Sequence, residues 1–366
     1  MDPVNLDLQP ELRRMASAFS RMEDGKPHQI TYYEHGTVTI DDAGIPTISN
    51  YRLGNREAVK RLINERGKIT LLIAHHNFVK HYFHFLEIIL AVYAFIHEHL
   101  GNSTIGNIVI GSQDLTSYNN NDVQPDLIHA LLPGSVVLRF LPSSDLGMIR
   151  DILGYGTSGS RSPLNKAMQE DVHTIARWMP EIVSDLLKYL QIPLTRETVS
   201  YNTGSAGYLA RVNVVYAKRG GARRLSDGVE SWLIRTFDEF GAAVETVDFG
   251  ALRFVDQVKI ARNCDILFGA HGNNLSNLVW MRPGSAVCEF FPAEYHTYDY
   301  QMLAEVADVQ YLGIEGREEA AFIYTDHTRI SNGFYGADAY NREITGLPWA
   351  DVRALIAMMI RKVRGL

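Results

Sequence analysis

The sequence predicts an α/β protein with two Rossmann-like domains facing a cleft. Three observations support this prediction. Short apolar runs of strand length alternate with segments of helical periodicity, which is typical of parallel sheets covered by helices on both faces. The alternation occurs in two successive blocks of comparable size. The chain length of 366 residues also corresponds to about two domains, at roughly 150 residues per domain.

The first block begins near residue 68, after an N-terminal stretch with weaker patterning. In that stretch, residues 28–40 alternate like strands and residues 56–66 have a helical pattern. The block itself contains predicted strands at 68–74, 107–111 and 135–141 and predicted helices at 81–99 and 125–132. A long helix follows over 166–190, and we expect Pro180 to kink or split it because proline lacks the donor N–H.

The second block has clearer periodicity. Its predicted strands are 208–219, 243–249, 264–272, 285–292 and 309–314, and its predicted helices are 227–240, 254–262, 274–281, 298–307 and 349–363. The two blocks predict an N-terminal domain over residues 1–190 and a C-terminal domain over residues 191–346, with a terminal helical segment at 347–366.

Composition excludes several classes of protein. There are 35 Lys and Arg against 42 Asp and Glu, and the resulting net charge of −7 disfavours nucleic-acid binding through bulk charge. The two cysteines, Cys264 and Cys288, are too few for a disulfide framework or a cysteine zinc cluster. The N-terminus lacks an apolar core of signal-peptide length, and the apolar stretch at 83–96 is shorter than the ~20 residues that cross a bilayer. We expect a soluble, cytoplasmic protein, although a shortened secretory enzyme would have the same composition.

The first candidate site is the segment GAHGNN, at the end of a predicted strand. Ligands bind beyond the carboxyl ends of strands in open parallel sheets. Glycines there let backbone N–H groups approach an anion at the positive end of a helix, and Asn273 or Asn274 is expected to be the N-cap. His271 could donate a hydrogen bond to a phosphate. The alternative is a tight turn whose histidine has an ordinary structural partner.

The second candidate site is a basic loop, YAKRGGARRLSD, which also follows a predicted strand. Lys218, Arg219, Arg223 and Arg224 cluster there beside two glycines. Guanidinium groups match phosphate oxygens in bidentate fashion. A solvated basic loop is the alternative. The expected position at the same sheet edge as GAHGNN favours an anion site.

The third candidate site is HHNFVKHYFHFLE, at the start of the predicted first-domain helix. His81, His84 and Glu87 follow one another at intervals of three, so they share a helix face. One of them could act as a general base. Two histidines without a clear third ligand are weak support for a metal site. Polar groups satisfied at a domain interface are the ordinary alternative.

Together these stretches resemble glycosyltransferase family 61, the family of the extracellular O-linked N-acetylglucosamine transferase and of plant xylan arabinosyl- and xylosyltransferases. The resemblance covers roughly residues 70–315 and is clearest in FVDQVKIARNCDILFGAHGNNLSNLVWMRPGSAVCEFFP at 254–292. Two positions depart from the family pattern. Asn273 stands where the family usually has alanine, and Ser226-Asp227 stands where it has Asn-Glu.

The resemblance implies a GT-B architecture, inverting transfer, and no cofactor or essential metal. The C-terminal domain would bind the nucleotide sugar, with a UDP-sugar as the first choice, and residues 347–366 would pack back toward the N-terminal domain. His84 is the first choice for the base, with Glu87 or His81 next. The implied donor-binding residues are Arg219, Arg223, Arg224, His271, Gly272, Asn273, Asn274, Asn277 and Glu289.

The expected partners are a nucleotide-sugar donor and a glycan or glycoconjugate acceptor, with no nucleic acid. Peripheral membrane association and the oligomeric state are left open. Two rival functions remain. One is a polysaccharide pyruvyltransferase using phosphoenolpyruvate, although GAHG lacks the arginine of the Gly-x-Arg-x-His form. The other is a non-catalytic relative that binds sugar nucleotides or glycans. A nicotinamide dehydrogenase is disfavoured because no predicted strand is followed by G-x-G-x-x-G.

Overall fold

The structure, a computed structural model, describes a large part of the chain. The residues described are 29–33, 36–40, 46–49, 69–74, 82–95, 97, 105–111, 123–133, 136–138, 163–194, 211–316, 323–325, 333–334 and 341–365. The predicted helix at 56–66 lies outside these ranges. Among the helices that are described, none is long and apolar enough to cross a membrane.

The first part of the chain contains two three-stranded sheets. Strands β1 (Gln29–Tyr33), β2 (Gly36–Ile40) and β3 (Pro46–Ser49) form an antiparallel sheet in that order. Strands β4 (Ile69–Ala74), β5 (Ile105–Gly111) and β6 (Val136–Leu138) form a parallel sheet. Helix α1 (Tyr82–Phe95) follows β4 and helix α2 (Val123–Leu131) follows β5. The predicted strand–helix alternation of this block is confirmed.

Helix α3 (Pro163–Tyr189) runs without interruption through Pro180. The expected split at Pro180 is therefore wrong, and the alternative expectation of a kink stays a prediction. Pro180 is exposed, whereas Ile175, Ile182 and Leu186 are fully buried on one face. Burial of that apolar face maintains the helix across the single missing backbone hydrogen bond, since tertiary packing supplies most helical stability.

The main sheet lies in the second part of the chain. Its five parallel strands are β7 (Val212–Ala217), β8 (Ala242–Val247), β9 (Ile266–Ala270), β10 (Ala286–Phe291) and β12 (Gln310–Glu315). A sixth strand, β13 (Ile323–Thr325), pairs antiparallel with β12. Outside this sheet, the short strand β11 (Tyr295–His296) pairs with β14 (Gly333–Phe334).

Helices connect the strands of this sheet. They are α4 (Asp227–Glu239), α5 (Phe254–Asn263), a 3-10 helix (Asn273–Trp280) and α6 (Asp299–Ala307). Helix α7 (Trp349–Val363) follows the strands in chain order. Helix α4 begins where the Ser226 hydroxyl accepts from the Val229 N–H at 3.4 Å. The predicted elements of the second block are all present, with small differences at their ends.

The strand order of the main sheet determines where a ligand can bind. The order is β13-β12-β10-β9-β7-β8, so the chain moves outward in one direction from β7 and in the other from β9. This is the doubly wound order 2-1-3-4-5 of flavodoxin-like sheets. In sheets of this order, ligands bind at the switch point where adjacent loops leave in opposite directions, which here is the carboxyl ends of β7 and β9.

Aromatic packing holds the central strands and α4 together. The Phe268 ring stacks on Tyr216 and on Phe237, with centroids 5.0 Å apart in each pair. One residue beyond Phe268, Gly269 brings β9 close to β7, since a Cβ there would lie 2.9 Å from the Ala217 carbonyl oxygen. The carboxyl ends of β7 and β9 are therefore in close backbone contact.

Contacts divide the chain into two compact units. The first comprises Met1–Lys80, Ala91–Ser117 and Leu132–Ala167, and the second comprises His81–Leu90, Tyr118–Leu131 and Met168–Leu366. The α/β class with a parallel, Rossmann-like sheet is confirmed. The domain limits at 190 and 346 and the placing of two domains about a cleft stay predictions.

Candidate functional site

Two loops meet where β7 and β9 end. The basic loop, residues 218–226, follows β7, and the turn at 271–272 leads from β9 into the 3-10 helix. Side chains bond across the gap between them. The Asn274 Nδ2 donates to the Lys218 carbonyl at 2.8 Å, and Arg219 Nη1 donates to the His271 carbonyl at 3.2 Å. The predicted sites GAHGNN and YAKRGGARR are therefore one site at the switch point of the sheet.

Gly272 permits this closeness. Its φ is +153°, and a Cβ at this position would lie 1.6 Å from Arg219 Nη1 and 2.9 Å from Arg219 Cζ. No side chain fits there while the guanidinium stays in place. The glycine that the sequence places after His271 thus holds open the position of Arg219.

The three arginines of the basic loop have different surroundings. Arg219 is half-buried over the turn, and Arg223 is buried with 6% of its surface exposed. Both are near enough to His271 for their charge to lower the pKa of the ring. Arg224 instead pairs with Glu343 at 2.8 Å and lies 3.5 Å from Asp227. The structure therefore brings two of the predicted arginines to His271 and pairs the third with carboxylates.

His271 is the centre of a buried polar chain. Its Nδ1 lies 2.5 Å from Glu289 Oε1, and the Tyr311 hydroxyl donates to Glu289 Oε2 at 2.6 Å. On the other side of the ring, Nε2 lies 3.4 Å from the Tyr295 hydroxyl. His271 is 5% exposed and Glu289 is fully buried.

Burial shifts the pKa values of His271 and Glu289 in the directions that favour their uncharged forms. The pKa of His271 lies well below its usual value because the ring is buried, and the charges of Arg223 and Arg219 lower it further. The pKa of Glu289 lies well above its usual value, chiefly because burial disfavours the carboxylate. At neutral pH the ring is therefore an uncharged hydrogen-bonding group.

Aromatic rings enclose His271. The Phe291 ring stacks on it with centroids 5.6 Å apart, and Tyr295 and Tyr300 each meet it edge-on at 5.3 Å. These rings come from the carboxyl end of β10 and the segment that follows it. They exclude water from the ring, which strengthens its remaining polar interactions.

Neither asparagine after Gly272 is the N-cap that the sequence predicted. The N-cap of the 3-10 helix is Gly272, and no side chain caps it, so the prediction of Asn273 or Asn274 is wrong. The Asn274 amide is directed to the Lys218 carbonyl instead. Asn277 is fully buried and donates to Gln257 Oε1 and to the Asn274 carbonyl, each at 3.2 Å. It therefore fastens the 3-10 helix to α5 behind the turn.

The predicted acid–base residues lie near the start of α1. His84 and Glu87 are in this helix, but their side chains are outside the part that the structure describes, and so is the whole of His81. The first turn of α1 is anchored to the site's surroundings. Trp280 Nε1 donates to the Tyr82 hydroxyl at 2.5 Å, and the Phe83 ring lies 5.0 Å from Tyr300.

Sequence reasoning missed the tyrosines of the site. Tyr311 lies in a strand and Tyr295 in a short segment, and the sequence patterns of these two parts were only apolar or mixed. Glu289 was the available signal, because a carboxylate in a buried strand needs polar partners. Both of its oxygens are engaged by His271 and Tyr311, and its implied role in binding the donor stays a prediction.

Comparison with known proteins gives one family. The family model described as Glycosyltransferase 61 matches residues 70–288, which include both loops at the switch point. Comparison with curated proteins gives no match.

Proposed function

Because the chain belongs to glycosyltransferase family 61, we propose that it is an inverting glycosyltransferase using a nucleoside-diphosphate sugar. The donor is a UDP-sugar in the first instance, and the acceptor is a hydroxyl of a glycan or glycoconjugate. One observation carries the proposal. Arg219, Arg223 and His271 converge at the carboxyl ends of β7 and β9, where a doubly wound sheet binds its ligand.

The charges and donors of this site suit a diphosphate. Arg219 and Arg223 supply cationic donors, and residues 272–274 supply backbone N–H groups at the start of the 3-10 helix. His271 adds a neutral imidazole. Gly272, Asn273 and Asn274 belong to the binding turn, whereas Asn277 and Glu289 support it from inside. Arg224, paired with Glu343, has a secondary role in holding the loop.

These donors act most strongly in the transition state. The acceptor oxygen bonds to the anomeric carbon as the bond to the donor's phosphate oxygen breaks, which inverts that carbon. Negative charge grows on the leaving diphosphate, and preorganised donors there lower the barrier. Removing one donor of this kind typically costs ~10²–10³ in rate.

A base must accept the proton of the acceptor hydroxyl. We place it on the first turns of α1, with His84 ahead of Glu87 and His81. Tyr82 and Phe83 support this placement, because they tie the start of α1 to Trp280 and Tyr300, and Tyr300 contacts His271. Transfer needs no cofactor or metal ion in this proposal. The GT-B arrangement, a closing role for residues 347–366 and a cytoplasmic or membrane-peripheral location are parts of the same proposal.

Ligand-induced thermal stabilisation tests the donor site. The panel is UDP, GDP, CMP, TDP, ADP and phosphoenolpyruvate, with and without EDTA. A ligand at about 100 times its dissociation constant adds ~2.7 kcal/mol, which shifts the melting temperature measurably. We expect a shift with one nucleoside diphosphate that persists in EDTA and is lost in Arg219→Ala.

Arg211→Ala is the matched control. Arg211 immediately precedes β7, at the opposite end of the strand, and is exposed, 3.7 Å from Asp238. This variant should keep the full shift. A shift with phosphoenolpyruvate alone would instead support a pyruvyltransferase. Stabilisation by a nucleotide without transfer or donor hydrolysis would indicate a non-catalytic binding protein.

A further inference from the structure

The polar chain through His271 raises the question of where its protons lie. The chain is Tyr311–Glu289–His271–Tyr295, with separations of 2.6, 2.5 and 3.4 Å between the bonded atoms. All four residues are buried. Each imidazole nitrogen faces a different partner, so the tautomer of the ring decides what Nε2 can offer to a ligand.

Tyr311 distinguishes the two oxygens of Glu289. Its hydroxyl donates to Oε2, so Oε2 acts as an acceptor. A proton held by the carboxyl group is then placed on Oε1, which faces His271 Nδ1 at 2.5 Å. When Oε1 carries the proton, Nδ1 must accept it, and the neutral ring keeps its own proton on Nε2.

The surroundings of the pair favour this uncharged arrangement. Burial raises the pKa of Glu289, and the charge of Asp299 on α6 raises it further, whereas Tyr311 and Arg223 oppose the rise. Burial and the cations Arg219 and Arg223 lower the pKa of His271. A carboxylic acid that donates to a neutral imidazole satisfies both tendencies.

We propose that Tyr311 is a positioning residue for His271: by occupying Glu289 Oε2, it directs the carboxyl proton to Nδ1 and keeps the ring proton on Nε2. In the free protein this N–H faces the Tyr295 hydroxyl. When the donor binds, a phosphate oxygen takes the place of that hydroxyl. The tautomer is a property of the free protein, whereas its role in donor binding rests on the proposed function.

Substituting Tyr311 by phenylalanine removes the bond that distinguishes the two oxygens. The carboxyl proton can then lie on Oε2, which leaves Oε1 as an acceptor for a proton on Nδ1. Nε2 would then have no proton to donate. The apparent dissociation constant for UDP should rise in inverse proportion to the fraction of the Nε2–H tautomer, about twofold at an equal mixture and about tenfold at one part in ten.

The first measurement is ¹⁵N NMR of the protein labelled at histidine. The chain has 13 histidines, and the signals lost in His271→Gln identify the ring. Protonated and unprotonated ring nitrogens resonate far apart, so the spectrum reports the tautomer directly. We expect the proton of His271 on Nε2. A proton on Nδ1 in the unsubstituted protein overturns the proposal, and this arm needs no folded Tyr311 variant.

The second measurement compares Tyr311→Phe with a matched control, Tyr216→Phe. Tyr216 is also a buried strand tyrosine that donates to a glutamate, Glu230 Oε2, at 3.2 Å, and Glu230 is not a member of the chain through His271. We expect a new Nδ1–H population in Tyr311→Phe alone, with UDP affinity by calorimetry falling in step. An unchanged tautomer, or equal effects of both substitutions, refutes the positioning role. If the unsubstituted protein binds no nucleotide, the proposed function fails while the spectrum still decides the tautomer.

Discussion

Gly272→Ala probes the contact between the turn and Arg219 without removing a charge. The new Cβ would lie 1.6 Å from Arg219 Nη1, so the guanidinium must leave its place beside the His271 carbonyl. Because φ at this position is +153°, alanine also strains the backbone. The substitution therefore has two effects that different measurements can separate.

The expected sizes follow from these contacts. A hydrogen bond to a charged group contributes about 1.5–3 kcal/mol. If displaced Arg219 no longer makes such a bond to a donor phosphate, donor binding should weaken roughly 10–150-fold. The strained backbone costs about 1–3 kcal/mol in the free energy of unfolding. The first effect should be seen in the dissociation constant for the donor nucleotide and the second in urea unfolding.

A double-mutant cycle separates the contact from the strain. Calorimetry gives the nucleotide dissociation constants of the unsubstituted protein, Gly272→Ala, Arg219→Ala and the double variant. If the methyl group acts by displacing Arg219, it has little further effect on binding once Arg219 is absent. The interaction energy from the cycle is then nearly equal in size, and opposite in sign, to the loss of binding free energy that Gly272→Ala causes alone. Gly284→Ala is the matched control, since Gly284 has φ +79° and a methyl group added there would meet no atom within 4 Å.

Two results would refute this reasoning. One is unchanged nucleotide binding in Gly272→Ala, because the guanidinium would then not be needed where the structure places it. The other is an equal loss of binding with and without Arg219, which would assign the effect to the turn itself. Gly284→Ala should lower stability and leave binding unchanged.

Two further predictions concern pH and the base. The pKa of His271 is lowered in the folded protein, so below about pH 6.5 the unfolded chain gains a proton there that the folded protein does not, and the contribution of His271 to stability falls on acidification. Between about pH 7.5 and about pH 5, urea unfolding should show up to about 2 kcal/mol more loss in the unsubstituted protein than in His271→Gln; equal losses would contradict this. His84→Ala should abolish sugar transfer and keep nucleotide binding, with the exposed His173→Ala as control; retained transfer would move the base to another residue.

The sequence predictions succeeded where neighbouring residues determine the structure and failed where contacts between distant residues do. Elements such as β9 and α7 were predicted because apolar periodicity records which face of a segment is buried. The helix through Pro180 was expected to kink or split. It is not split, because the packing of Ile182 and Leu186, which the local rule omits, maintains it. The N-cap at Asn273 or Asn274 was wrong for a similar reason, since the Asn274 amide bonds to a distant loop.

Local patterns and motifs were sufficient for the α/β class, the family and the loops that carry the arginines and His271. The folded arrangement was needed to show that the charges of Arg219 and Arg223 act on His271 while Arg224 pairs with Glu343. It was also needed for the partners of Glu289, which are 18 and 22 residues away along the chain. Strand order brings such residues together, and it depends on contacts between distant segments that leave no trace in local periodicity.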